Sequence, residues 1–221
     1  MSQSVPAWVV EFDSIKSSLV YMGMKRVIHR AHMKQLLGRD IWDGTGIVHR
    51  WIQENYADSM LIGLRRILDK DKRTCSLIKL LQKVQKNHAL FTFEGYLQLW
   101  SNAQPRVDDR YARALYITFS SNGRTLDKRR IEEDIKILLA GCKSVLDHIN
   151  DVVAHQRRET YTTAAVTEIT WDEFDTIFTD VAALFNKYYA LVKPGVHVDF
   201  EPVLPAGFEQ AFARMFPPGD G

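Results

Sequence analysis

Seven apolar residues, Ile131, Ile135, Leu138, Cys142, Val145, Ile149 and Val152, recur in alternating steps of four and three. Such steps keep side chains on one side of a 3.6-residue helix, whereas a strand requires a step of two. Leu139, Leu146 and Val153 widen the line into a face broad enough to bury. A chain with this ladder must build at least one long core helix. The spacing predicts that it starts at Thr125 and continues to the basic residues near 158.

The helical period holds almost everywhere else. A first long helix is predicted from about Pro6 to Leu37, with Gly38 as its stop. A turn-rich loop follows, and a second helix runs from Ile47 to the polar run at Asp69. Thr74 or Ser76 caps a shorter helix carrying Leu77, Leu80, Leu81 and Val84. An aromatic stretch between 88 and 104 precedes a helix over 108–120 that stops at Gly123. Thr170-Trp-Asp-Glu173 reads as a capping box opening the last long helix, which ends at Lys193-Pro194-Gly195. The fold class expected is all-α: one helical-bundle domain over 1–195 with long antiparallel helices. A 196–221 tail then carries one short helix near Phe208–Phe216.

The charge balance, 29 basic against 27 acidic residues, creates no overall field for nucleic acid or membrane, so such binding needs a local patch. A hydrophobic share of 46% argues against general disorder. Cys75 and Cys142 show no metal or redox spacing and are expected on helices as small core residues. The N-terminus lacks a basic segment followed by an apolar block, and no apolar run is long enough to span a bilayer. A cytoplasmic protein with no membrane association is expected.

The chemistry concentrates in Asp147-His-Ile-Asn-Asp-Val-Val-Ala-His155-Gln-Arg-Arg158, at the end of the ladder helix. On a helix, Asp151 and His155 are neighbours at i,i+4, with His148 two turns earlier on the same face. A carboxylate beside an imidazole orients it and raises its basicity, as a general acid or base requires. Arg157 and Arg158 offer planar, multi-donor groups for a phosphate. A solvated helix end, its cations set against the C-terminal dipole, accounts for the same residues without any chemistry.

Two stretches carry a resemblance. Ile149-Asn-Asp-Val-Val-Ala-His155, closing a long helix and followed by basic residues, resembles the signature of the HEPN superfamily: Arg, a polar residue, then a short apolar run ending in Ala-His. Ala57-Asp-Ser-Met-Leu-Ile-Gly-Leu-Arg-Arg-Ile-Leu-Asp69, followed by Ser76-Leu-Ile-Lys-Leu-Leu81, is similar to the abortive-infection branch of that superfamily. Together they span about 47–158, within a HEPN-like core of about 47–192. The resemblance implies a helical bundle that dimerises about the His-bearing helix. In active members it implies a metal-independent endoribonuclease of phage defence or toxin–antitoxin systems, with no cofactor. His155 matches the signature His and Asp151 the polar residue, while Asn150 occupies the Arg position. Asn brings no permanent charge to a phosphate, so Arg157, Arg158, Arg65 or Arg66 must supply it, or the site binds RNA without cutting.

Further candidates are weaker. Arg65 and Asp69 form an i,i+4 pair worth little if exposed. Arg26 and His32 meet a loose Arg–five–His pattern but lack the Ala-His context. Lys25–Lys34 is the most basic face, either solvated or in contact with an RNA backbone. Trp51, Trp100, Trp171 and Phe174 fall in helical stripes and are expected in the core. The Glu-x-x-His pairs of a di-metal bundle are missing, and Gly44-Thr-Gly46 is a turn, not a phosphate loop. No metal is expected. A homodimer is expected from the regular ladder, with RNA and an antitoxin protein as further partners. The competing reading is a non-catalytic helical interaction and dimerisation module.

Overall fold

Residues 7–36, 46–71, 73–102, 108–149 and 170–215 are described by a computed structural model. A single 3-10 turn at Ala7–Val10 leads into α1 (Glu11–Leu36), whose first turn carries Glu11 and Asp13 at the positive end of the helix dipole. α2 (Gly46–Leu68), α3 (Leu77–Lys86), α4 (Phe93–Ser101) and α5 (Asp109–Ile117) follow. Then come α6 (Lys128–Gly141), α7 (Lys143–His148), α8 (Trp171–Tyr189) and α9 (Phe208–Met215). Among the described residues the only β pairing is one isolated bridge between Thr92 and Thr125. The protein is all-α.

The chain divides into two compact units, Met1–Lys16 with Leu64–Val198, and Ser17–Gly63 with Asp199–Gly221. The first unit is built on the ladder. Ile131, Ile135, Leu138, Cys142, Val145 and Ile149 are all buried, whereas Val152 and Val153 lie outside the described residues. α6 packs against α3 and α8, and α4 against α5. α8 contributes Phe174, Ile177, Phe178, Val181, Phe185 and Tyr188, and Phe12 meets the Phe185 ring edge-on at 6.0 Å.

Local chemistry sets the helix ends. Ser76 caps α3, its hydroxyl accepting from Lys79 N–H at 3.2 Å and donating to the Asp69 carbonyl at 2.6 Å. The Thr170–Glu173 capping box forms in full: Thr170 N–H donates to Glu173 Oε2 at 2.8 Å and Glu173 N–H to Thr170 Oγ1 at 3.2 Å. Gly123 and Gly195 take positive φ, at 68° and 75°, where a side chain would be strained.

Several expectations are corrected. The ladder helix starts at Lys128, not Thr125, because Thr125 pairs with Thr92 and Asp127 caps the helix by accepting from Arg129 N–H at 2.9 Å. It is also interrupted at Cys142, whose φ of −92° and ψ of 3° leave the helical range. The preceding Gly141 has the weakest helix preference of any residue but proline. The bonds Cys142 N–H to Leu138 O and Leu146 N–H to Cys142 O, both 3.0 Å, carry the ladder across the bend. Cys75 is exposed and precedes its helix, so only Cys142 is a core thiol. Trp100 and Phe174 are buried, but Trp51 is 62% and Trp171 41% exposed, because α2 and α8 each turn that position away from their buried faces.

In the second unit α1 and α2 run antiparallel. Met22 lies against Gly63, His29 against Tyr56 and His32 against His49, so one number falls as the other rises. Gly63 allows the closest approach: a Cβ there would lie 2.8 Å from Met22 Sδ.

Candidate functional site

The short α7 carries the first residues of the polar cluster. Lys143 Nζ donates to Asp147 Oδ2 at 2.6 Å across one turn, so that carboxylate is engaged by a cation. His148 ends α7 half-buried, and the buried Ile149 follows it. Asn150, Asp151, His155, Arg157 and Arg158 lie outside the described residues.

Arg65 and Arg66 stand exposed in the last turn of α2, while their neighbours Leu64 and Ile67 are buried. Among the described residues no hydrogen bond or ion pair joins either arginine to His148. Nor does Arg65 pair with Asp69, whose Oδ1 accepts from Asp71 N–H at 2.9 Å. The polar run from Asp69 is thereby a self-capped turn, also held by Arg73 Nη2 donating to Asp71 Oδ2 at 2.7 Å. The Arg73 side chain, first by that hydrogen bond, holds the Asp71 carboxyl below the usual range.

The second unit holds a polar cluster whose burial runs against the sequence reading. Continuing the α1 stripe of Phe12, Ile15, Leu19 and Met22 by the same steps lands on Arg26 and His29. Both are buried, as are His32 and His49. The Lys25–Lys34 stretch is therefore split: Arg26, His29 and His32 face inward, while Arg30 and Lys34 remain exposed. The His29 ring stacks on Tyr56 with centroids 3.9 Å apart, and His32 Nε2 lies 2.8 Å from His49 Nδ1. Burial, with the neighbouring His49 second, pushes the His32 pKa below its ordinary value. Among the described residues no group of three or more His, Cys, Asp or Glu side chains is placed to hold a metal ion.

Arg26 and Arg30 converge on one carboxylate of the C-terminal segment. Their Nη1 atoms donate to Glu201 Oε1 at 2.5 Å and 3.2 Å, and Lys34 Nζ reaches Glu209 Oε1 at 3.3 Å. The signal for this cluster was present in the sequence, as polar residues at the core positions of α1. The carboxylates that answer it come from some 170 residues away, and no local pattern announces them.

A HEPN family model, described as AbiU2, matches residues 44–205, well over half of the chain. The chain belongs to the AbiU2 family of HEPN domains. It is a HEPN-like protein of the abortive-infection context. The AbiU2 match takes in Arg65, Arg66, His148 and the whole Asn150–Arg158 cluster, whereas the Arg26–His32 spacing falls outside it. No curated protein and no solved structure matches the chain. No helix among the described residues is long and apolar enough to cross a membrane.

Proposed function

We propose that this AbiU2-type protein acts on RNA as a metal-independent endoribonuclease in phage defence. The observation that carries the reading is the family match running through Ala154-His155, the residues that resemble the superfamily signature. In this reading His155 is the general acid or base, and Asp151, four residues before it in the sequence, orients the ring. Asn150 is a polar contact, and Arg157 or Arg158 replaces the charge of the missing signature Arg at the phosphate, with Arg65, Arg66 and His148 as further substrate contacts. Cleavage without metal proceeds by attack of the ribose 2′-oxygen on the neighbouring phosphorus. The 2′ proton passes to a base, the 5′-oxygen leaves with a proton from an acid, and a 2′,3′-cyclic phosphate remains. A homodimer about the His-bearing helix and control by an antitoxin protein belong to the same proposal. The experiment is incubation of the purified protein with total RNA in chelator, beside His155→Ala. Cleavage that the variant loses supports the reading.

The second reading is a non-catalytic helical module. Asn150 in the Arg position favours it, and so does an exposed apolar face at the start of α2, where Ile47, Val48 and Trp51 meet solvent. A dimer in solution, with intact RNA at every pH between about 5 and 8 where imidazole changes charge, would select this module over the nuclease.

A further inference from the structure

Arg26, Arg30 and Lys34 occupy positions i, i+4 and i+8 of α1, which places three cations in one line at steps of about 6 Å along the helix. Two carboxylates of the C-terminal segment are laid on this line, Glu201 on the two arginines and Glu209 on the lysine. We propose that this line is a binding ridge for the phosphodiester backbone of single-stranded RNA, and that the segment carrying Glu201 and Glu209 is an acidic strap occupying the phosphate positions until RNA displaces it.

Three observations support the exchange. The Arg26 side chain is only 6% exposed, and a guanidinium so buried requires an anion against it, so a departing Glu201 must be replaced by another. The outer pairs are weakly held: Arg30 is 47% and Lys34 65% exposed, and their carboxylates are about half exposed, so water screens them. Between α1 and the strap lies an open cleft of about 510 Å³, lined by Val27 and Arg30 on one side and by Pro202, Pro205, Phe208 and Gln210 on the other. A cleft that both Arg30 and Phe208 line suits a nucleotide, its phosphate on the cation and its base against the ring. An acidic peptide would use the cations but not the ring, which favours nucleic acid.

The ridge rests on the proposed nuclease function only for the choice of RNA as ligand, and does not depend on chemistry at His155. Binding of a fluorescent 20-nucleotide oligouridylate is therefore measured on the full chain carrying His155→Ala, where cleavage cannot intervene. Adding Glu201→Gln and Glu209→Gln keeps acceptors for Arg26 and Lys34 while removing the competing charge. It is expected to tighten binding about tenfold at low salt and to steepen the salt dependence, each further phosphate contact adding about −0.7 to the slope of log K against log salt. Arg30→Ala with Lys34→Ala in that background is expected to abolish the gain. Hydrogen exchange of 199–211 in the otherwise unaltered chain is expected to rise when the oligouridylate is added, which tests the strap without a strap variant. Inorganic polyphosphate is expected to bind more weakly than RNA of equal charge. Unchanged affinity in the glutamine variant, a gain that survives loss of Arg30 and Lys34, exchange unaffected by RNA, or polyphosphate binding as tightly as RNA would overturn the proposal.

Discussion

His32 Nε2 and His49 Nδ1 face each other at 2.8 Å across α1 and α2, with 1% and 4% of their residues exposed. Only one of the two facing nitrogens can carry the hydrogen of that bond. A second proton places two like charges in contact inside a region that already holds Arg26.

The stability of this pair depends on pH. The folded-state pKa of His32 lies below its ordinary value near 6.5, so in acid the unfolded chain binds the extra proton first. The contribution of His32 is complete above about pH 7 and is lost as pH falls below 6.5, with a slope of at most about 1.4 kcal/mol per pH unit for one proton. A melting temperature that is level from pH 8 to 7 and drops toward pH 5 is expected. His49→Gln should make the drop shallower; a profile identical in both proteins would contradict the assignment.

Asp134 joins α6 to α8. Its Oδ2 accepts from Lys187 Nζ at 2.5 Å and from the Tyr188 hydroxyl at 2.6 Å, and Tyr188 is buried. Burial first, and then Asp134, pushes the Tyr188 phenol well above its usual range. Asp134→Ala leaves that hydroxyl without its acceptor and is expected to cost about 1–3 kcal/mol in urea unfolding. Asp134→Asn keeps an acceptor and should cost less. Equal losses in the two variants would show that the hydrogen bond to Tyr188 is not what matters.

The two cysteines should differ sharply toward thiol reagents. Cys142 is buried, and burial, helped by Asp180, pushes its thiol up to about 12, whereas Cys75 is exposed. One equivalent of maleimide is expected to react in native protein and two in denaturant. Two fast equivalents in native protein would show that the bend at Cys142 is open.

Thr170 is the cap of α8, and Thr170→Ala is expected to destabilise the protein by about 1 kcal/mol. Thr170→Ser should be close to neutral, because the hydroxyl is retained. A comparable loss in the serine variant would point away from the capping bond.

Much of the helix plan was legible in the sequence because it rests on local chemistry. The capping box at Thr170–Glu173, the Ser76 cap and the four-and-three ladder each contain their own instructions. What local pattern missed was decided at a distance. Thr125 reads as a helix start until Thr92 pairs with it, and Lys25–Lys34 reads as a solvated basic face until Glu201 and Glu209 meet it. The places of Arg26 and His29 on the apolar stripe of α1 were the available warning that these two side chains turn inward. Of the candidate site, family membership was legible in Ala154-His155 and in the Arg65–Asp69 region, while Asn150–Arg158 lies outside the described residues.

The most direct measurement is the cleavage of a defined single-stranded RNA in chelator, followed across pH 5 to 8 with the product ends analysed. Fragments ending in 2′,3′-cyclic phosphate are expected, with a rate that changes through the imidazole range and no cleavage by His155→Ala. RNA left intact by the unaltered protein throughout that range, or cut equally well by His155→Ala, would contradict the proposed nuclease function.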